Sequence, residues 1–245
     1  MAGVCLGAAV ALVRPLPALA AHPLQTEDTG TQGVSNVEVE NGLLLSRGGG
    51  VRSFIYQPQL SYGLLTTFDV LVQPSWVRAS GPVQNTTQGP GDSNLDVKWR
   101  FYGRAPWSLG LRAGLELATA QAGLGLPRGT LSAHELLVAT CDVAPFAVHA
   151  NLGLTQNPDD AGLRRQVVHM SSALMWTVNE SLIASAEADA GSNTDRSDDR
   201  RPVSALVGLI WTVMPGLDAD VGYQTDLHGP ALRQWLAGLT YRFSV

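Results

Sequence analysis

Asn94-Leu95-Asp96-Val97-Lys98-Trp99-Arg100-Phe101 alternates without a break between polar or charged side chains and bulky apolar ones. Successive side chains of an extended strand point to opposite faces. Asn94, Asp96, Lys98 and Arg100 therefore share one face, and Leu95, Val97, Trp99 and Phe101 the other. The same phrase, with varying clarity, recurs about a dozen times along the 245 residues. Pairs of such strands joined by tight turns, repeated this often, predict an all-β protein. The expected fold is a transmembrane antiparallel up-and-down β-barrel of about 12 strands, of the bacterial outer-membrane type, apolar outside and wet inside. No apolar run approaches the roughly 18 residues that a membrane-spanning helix needs.

The predicted strands are Gly33–Asn41, Arg52–Tyr62, Phe68–Val77, Asn94–Tyr102, Trp107–Ala118, Leu131–Cys141, Phe146–Thr155, Val167–Thr177, Leu182–Ala190, Val203–Trp211, Leu217–Gln224 and Leu232–Phe243. Pro58 and Pro74 interrupt the ladder pattern of the second and third. Glu135 and Leu136 blur the alternation of the sixth. The connections alternate in length. Tight ones at Gly63–Thr67, Gly103–Pro106, Asp142–Pro145, Val178–Glu180 and Thr212–Gly216 are expected at the periplasmic end. Longer ones at Gly42–Val51, Arg78–Gly91, Thr119–Gly129, Gln156–Arg165, Gly191–Pro202 and Thr225–Ala231 are expected outside the cell. Tyr62, Phe68, Phe101, Trp107, Phe146, Trp176, Trp211 and Phe243 collect beside the tight turns, and Trp76, Tyr223 and Trp235 near the loops. Aromatic rings favour the headgroup level at both interfaces, which fits a membrane barrel better than a soluble sandwich.

Before the strands, the apolar run Val4–Val13 and the small-residue site Ala18-Leu19-Ala20 read as a signal peptide over residues 1–21. Residues 22–32 form a short polar segment expected on the periplasmic side. The barrel is expected over residues 33–245. Cys5 would leave with the leader, so Cys141 would stand alone and the mature chain could form no internal disulfide. Lys98 is the only lysine among 16 basic residues, and no basic patch interleaved with aromatics suggests nucleic acid.

The polar faces supply candidate lumen-lining residues. The acids are Glu38, Glu40, Asp69, Asp96, Glu116, Glu187, Asp189, Asp218 and Asp220. The bases are Arg52, Lys98, Arg100, Arg112 and Arg242, with His149 also on the polar face. Lys98, Arg100 and Arg112 fall on two adjacent strands, and six of the acids on strands nine, eleven and one. This asymmetry has two readings: opposed charged walls across a constriction, or ion pairs that brace a narrow barrel, such as Arg242 with Glu38 or Glu40. No serine is placed beside a histidine in a way that suggests a lipid-face hydrolase, and no metal-ligand spacing or cofactor motif is present. The run Asp195–Arg201 reads either as a solvated loop or as a site for divalent cations or lipopolysaccharide phosphates.

His22-Pro23-Leu24-Gln25-Thr26-Glu27-Asp28-Thr29-Gly30-Thr31-Gln32-Gly33, Pro58-Gln59-Leu60-Ser61-Tyr62-Gly63, Leu95–Tyr102 and Leu236-Ala237-Gly238-Leu239-Thr240-Tyr241-Arg242-Phe243 resemble the outer-membrane transporters named for the meta-pathway of phenol degradation. The resemblance covers most of the mature chain. It implies an exported twelve-stranded barrel that moves small solutes, hydrophobic or aromatic ones included. Its expected surroundings are outer-membrane lipid, lipopolysaccharide and the barrel assembly machinery. A closed structural barrel is the alternative, and a barrel enzyme or secretion pore is less favoured.

Overall fold

A computed structural model describes residues 22–48, 50–81, 86–120, 130–158, 162–228 and 232–245. The expected leader, residues 1–21, and much of the expected loop Thr119–Gly129 lie outside the described residues. The strands are β1 (Asn36–Gly48), β2 (Val51–Leu65), β3 (Phe68–Gln73), β4 (Trp76–Ser80), β5 (Thr87–Pro90), β6 (Ser93–Arg104), β7 (Trp107–Leu117), β8 (Ser132–Val143), β9 (Phe146–Gln156), β10 (Gln166–Asn179), β11 (Leu182–Gly191), β12 (Val203–Met214), β13 (Leu217–Asp226) and β14 (Arg233–Ser244).

These fourteen segments make twelve barrel staves, because two staves are each split in half. β3 and β4 both pair with β2, with Pro74 and Ser75 between them. β5 and β6 pair with β4 and β3 respectively, and the break falls at Gly91 and Asp92. Proline at 74 can donate no ladder bond, and the opposite stave carries an extra residue there, a bulge in the sense of one residue too many. The Ser75 hydroxyl donates to the Asp92 carbonyl at 2.7 Å and the Gly91 N–H to the Ser75 carbonyl at 3.0 Å, so the two breaks are tied to each other. All neighbours are antiparallel. β1 pairs with both β2 and β14, which closes the barrel; among the described residues only the short β5, near the loop end, has a single neighbour, β4. Closure satisfies the strand backbone internally, as hydrocarbon surroundings demand.

The alternation of Asn94–Phe101 holds through Arg100. Leu95, Val97 and Trp99 are exposed on the outer surface, while Asp96 and Lys98 are buried inside. The register extends this face: Trp99 lies opposite Leu111, Leu111 opposite Leu137 and Leu137 opposite Leu152. Five two-residue turns join neighbouring staves at one end of the barrel: Thr66-Thr67, Ala105-Pro106, Ala144-Pro145, Glu180-Ser181 and Pro215-Gly216. They lie at the same end as the start of β1 and the end of β14. Trp107, Phe146, Trp176, Trp211 and Phe243 stand exposed above them. Tyr223 and Trp235 mark the other end, with ring centroids 4.9 Å apart.

Three places differ from the sequence reading. The expected loop Arg78–Gly91 contains the end of β4 and all of β5, which pair with each other and lengthen the two split staves. β1 continues past Asn41 to Gly48 and forms a tight hairpin with β2, Gly48 opposite Val51, where a long loop was expected. Gly42-Leu43-Leu44-Leu45 carries no period-two signal because its inward residues are as apolar as its outward ones. β8 is regular: Glu135 points outward beside Ala113, and His134 and Leu136 point inward.

In a Cys141→Ala background, cysteines at Leu95, Leu115, Val148 and Leu152 are expected to react with a lipid-soluble maleimide and not with a charged one. Cysteines at Glu116 and Asp189, which face inward and are only half-buried, should show the reverse. Equal labelling of both sets by the charged reagent would overturn the assigned faces.

Candidate functional site: an occupied lumen

The inward residues do not surround an empty pore. Residues 22–32 are outside the sheet, as expected, but they lie inside the barrel rather than in the periplasm. The chain enters the lumen at the turn end and crosses from β1 and β3 to β13. A segment without secondary structure must find partners for its backbone N–H groups. Here the wall's side chains supply them. Glu187 Oε2 accepts from the N–H of Gln25 at 2.9 Å and of Thr26 at 3.1 Å. Asn151 accepts from the Glu27 N–H at 2.7 Å and donates to the Glu27 carbonyl at 2.8 Å. Thr140 Oγ1 accepts from Thr29 at 3.2 Å, and Asp69 Oδ2 from Gln32 at 2.9 Å.

Charge holds the middle of the segment. Lys98 Nζ sits 2.7 Å from Glu27 Oε1 and 3.1 Å from Asp28 Oδ1. Arg112 reaches Glu27 Oε2 at 2.5 Å and Asp96 Oδ2 at 2.5 Å, and donates to Gln59 Oε1 at 3.1 Å. Gln59 in turn donates to Glu40 at 2.6 Å, and His134 Nε2 lies 2.9 Å from Asp96. One network therefore joins β1, β2, β6, β7 and β8 to the segment. A second centres on Arg242, 2.5 Å from both Glu38 and Asp218, with the Gln32 amide donating to Glu38 at 2.7 Å. Of the two partners expected for Arg242, the structure selects Glu38. Side chains of Lys98, Glu27, Asp28 and Asp96 are all 12 % exposed or less, so these pairs are desolvated and strongly dependent on one another.

The end of the segment rests on an unusually thin wall. Gly42, Gly238, Gly222 and Gly208 occupy inward positions on the adjacent strands β1, β14, β13 and β12. A Cβ on Gly238 would come 2.5 Å from His22 Nδ1, and one on Gly208 2.6 Å from Pro23 Cγ. His22 Nδ1 meets Asp220 Oδ1 at 2.5 Å. Leu24 packs on Ala173, Met175, Leu206, Ile210 and Leu236, an apolar patch on the inner wall. Strand-interior glycines at polar-face positions signal a close approach by another backbone. They are one of the sequence clues to this docking.

The sequence-derived candidates now sort themselves. Glu38, Glu40, Asp69, Asp96, Lys98, Arg112, Glu187, Asp220 and Arg242 belong to the networks that hold the segment. Asp218 binds Arg242, and Asp189 accepts from Ser204 at 2.5 Å. His149 is buried between Thr140 and Met175. Glu116 points inward near the loop end, and Arg100 lies at the turn end, where it donates to the Thr66 carbonyl at 3.2 Å. Arg52 is the exception. It sits opposite Arg47 and Ser80, on the outer face with Phe54 and Tyr56, and is exposed. The expected pair of opposed walls is also revised. Two of its three bases and several of its acids are bridged through the segment rather than facing each other across open water.

No protein-family model and no curated protein sequence matches the chain. Solved structures do. An outer-membrane channel of the COG4313 group from Pseudomonas putida F1 superposes with a TM-score of 0.69 at 15 % identity, over 88 % of this chain and 98 % of that one. The KdgM porin in complex with disordered oligogalacturonate gives 0.62 at 10 %, over 84 % and 99 %. The CymD monoaromatic hydrocarbon channel gives 0.52 at 8 %, over 88 % and 89 %. At these identities the likeness establishes the fold: a closed twelve-strand barrel of the kind found in bacterial outer-membrane channels.

Removing the cation between two buried carboxylates leaves them uncompensated. Lys98→Met is expected to lower unfolding stability by about 3 kcal/mol, the low end of that penalty because lumen water relieves part of it. The same substitution in a chain lacking residues 22–32 should cost much less, since Glu27 and Asp28 are gone. Urea midpoints in lipid vesicles check this. Equal losses in both backgrounds would mean that the Lys98 contacts to the segment carry no stability.

Proposed function

We propose that this chain is an outer-membrane channel for small solutes, of hydrophobic or aromatic character, and that it belongs with the transporters named for the meta-pathway of phenol degradation. The observation that carries the reading is the lumen itself. A short segment, held by reversible polar contacts, occupies a barrel whose wall changes character along its length. Toward the turn end the inward side chains of β1 and β6 are Glu38, Glu40, Asp96 and Lys98. Toward the loop end, β1, β2 and β4 present Gly42, Leu44, Ile55, Val77 and Ala79 instead. An uncharged stripe beside a charged knot suits a solute that is small and largely apolar, because such a solute loses little hydration on entry. The barrel's nearness in fold to a COG4313 channel and to a monoaromatic hydrocarbon channel supports the same class. The quantity of hydrogen bonding between segment and wall favours a second reading, a barrel closed at rest.

Planar-bilayer conductance and solute entry separate the two. The full mature chain should show small, infrequent conductance steps. Deleting residues 22–32, or filling the wall with Gly208→Leu and Gly222→Leu, should raise conductance several-fold. In porin-deficient cells with an intact lipopolysaccharide leaflet, the unaltered chain should speed entry of a small aromatic hydrocarbon more than that of a sugar of similar size. No conductance after deletion would reject the channel. Equal gains for both solutes would reject the apolar substrate class and leave the channel standing.

A further inference from the structure

Four arginines stand on the outer surface of the barrel where its neighbours are apolar. Arg233 on β14 lies opposite Arg47 on β1, and Arg47 opposite Arg52 on β2. On β4, Arg78 pairs with Phe54, the residue two along from Arg52 on the same face. The four occupy four adjacent staves near the loop end, and all are exposed. Neighbouring strands are about 4.8 Å apart, so the cations form one continuous row. Like charges placed directly opposite each other repel. Nothing within the barrel relieves this: among the described residues none of the four has a carboxylate within ion-pair distance.

The contrast with the loop arginines is informative. In the run Asp195–Arg201, Arg200 is bonded to Asp198 at 2.5 Å, and Asp199 holds Arg164 at 2.9 Å. Those two cations are answered from within the chain, while Arg196 and Arg201 of the same run have no ion pair among the described residues. The row on β14, β1, β2 and β4 is not so answered.

Each arginine of the row has an apolar side chain two residues away on the same face, toward the membrane: Trp235, Leu45, Phe54 and Trp76. Arg52, Arg78, Phe54, Trp76, Leu45 and Gln88 together line a cleft of about 580 Å³ on the outer wall. The ligand implied has anionic groups at headgroup height and acyl chains immediately beneath. Guanidinium groups suit phosphate because they offer planar paired donors. We propose that this face is a docking site for lipopolysaccharide, with the row of arginines on the phosphates of its lipid A headgroup and the aromatic and aliphatic residues below on its acyl chains. The inference rests on an outer-membrane placement with the loop end outward and is independent of what crosses the lumen.

The test compares the purified full mature chain in detergent with a variant carrying Arg47→Gln, Arg52→Gln, Arg78→Gln and Arg233→Gln. Each is titrated with rough lipopolysaccharide, with the same material after phosphate removal, and with phosphatidylglycerol, and read by native mass spectrometry and by thermal unfolding. The unaltered chain should bind the phosphorylated glycolipid at least tenfold more tightly than either control, with affinity that falls as salt is raised. The variant should lose that preference. Should the fourfold variant fail to fold, Arg52→Gln and Arg233→Gln singly should each weaken binding severalfold. Binding that survives phosphate removal, equal capture of phosphatidylglycerol, or unchanged binding by the folded variants would overturn the proposal.

Discussion

The contact between Glu27 and Asp28 and the pair Lys98 and Arg112 anchors the segment inside this barrel. Two bases pointing inward from adjacent strands would repel each other in a narrow lumen. Two carboxylates on the preceding segment, with Asp96 on the wall, balance them. Everything near the segment follows from that anchor. Once Glu27 is fixed, the chain on one side must cross to β1 and β3, and on the other it must run along β12, β13 and β14. The glycines at 208, 222 and 238 are what let it run there without forcing the wall outward. The segment is bound as a ligand is bound: through its backbone N–H groups, two charges and one leucine. Its partners are groups that a water-filled lumen would also solvate. Its release would break side-chain contacts rather than a strand ladder, so the segment is a docked element of the lumen and not a stave of the sheet.

The scaffold was legible in the sequence because a membrane barrel imposes two different solvents on alternate residues. Leu95, Val97 and Trp99 against Asp96 and Lys98 could hardly be read otherwise, and two-residue turns bounded by aromatics set the hairpins. Legibility failed where the two solvents became alike. At Leu43-Leu44-Leu45 both faces are apolar, so the strand was cut short at Asn41. At Glu135 an outward charge sits near the loop end, where the lipid gives way to headgroups, and it masked a regular strand. Arg52 reads as inward on its charge alone, although it shares the parity of Phe54 and Tyr56. Pattern and chemistry disagreed there, and the pattern was right. The docked segment was not legible from alternation at all, since it has no period. Only the glycines on inward positions, and two acids preceding a barrel with a cluster of bases, could have suggested it.

The two kinds of cation in the chain show how finely the barrel separates its surroundings. Inside, the only lysine lies between two carboxylates, 6 % exposed, where a compact ammonium with three donors fits a confined site. Arg112 and Arg242 also lie inside, each forking between two acids. Outside, the row at 47, 52, 78 and 233 is all arginine and has no acids. A charge deep in the lipid face would cost about 2–4 kcal/mol, but at the interface that penalty falls to about 0–1 kcal/mol. The row therefore sits at an interfacial height, where the outer wall can carry it at little cost in stability. The same positional logic excludes it from the lumen, where acids were available to answer it. Cations held at that height and left unanswered by the protein describe the headgroup layer they face. Inside and outside, the barrel's charges are arranged around partners that do not belong to the sheet.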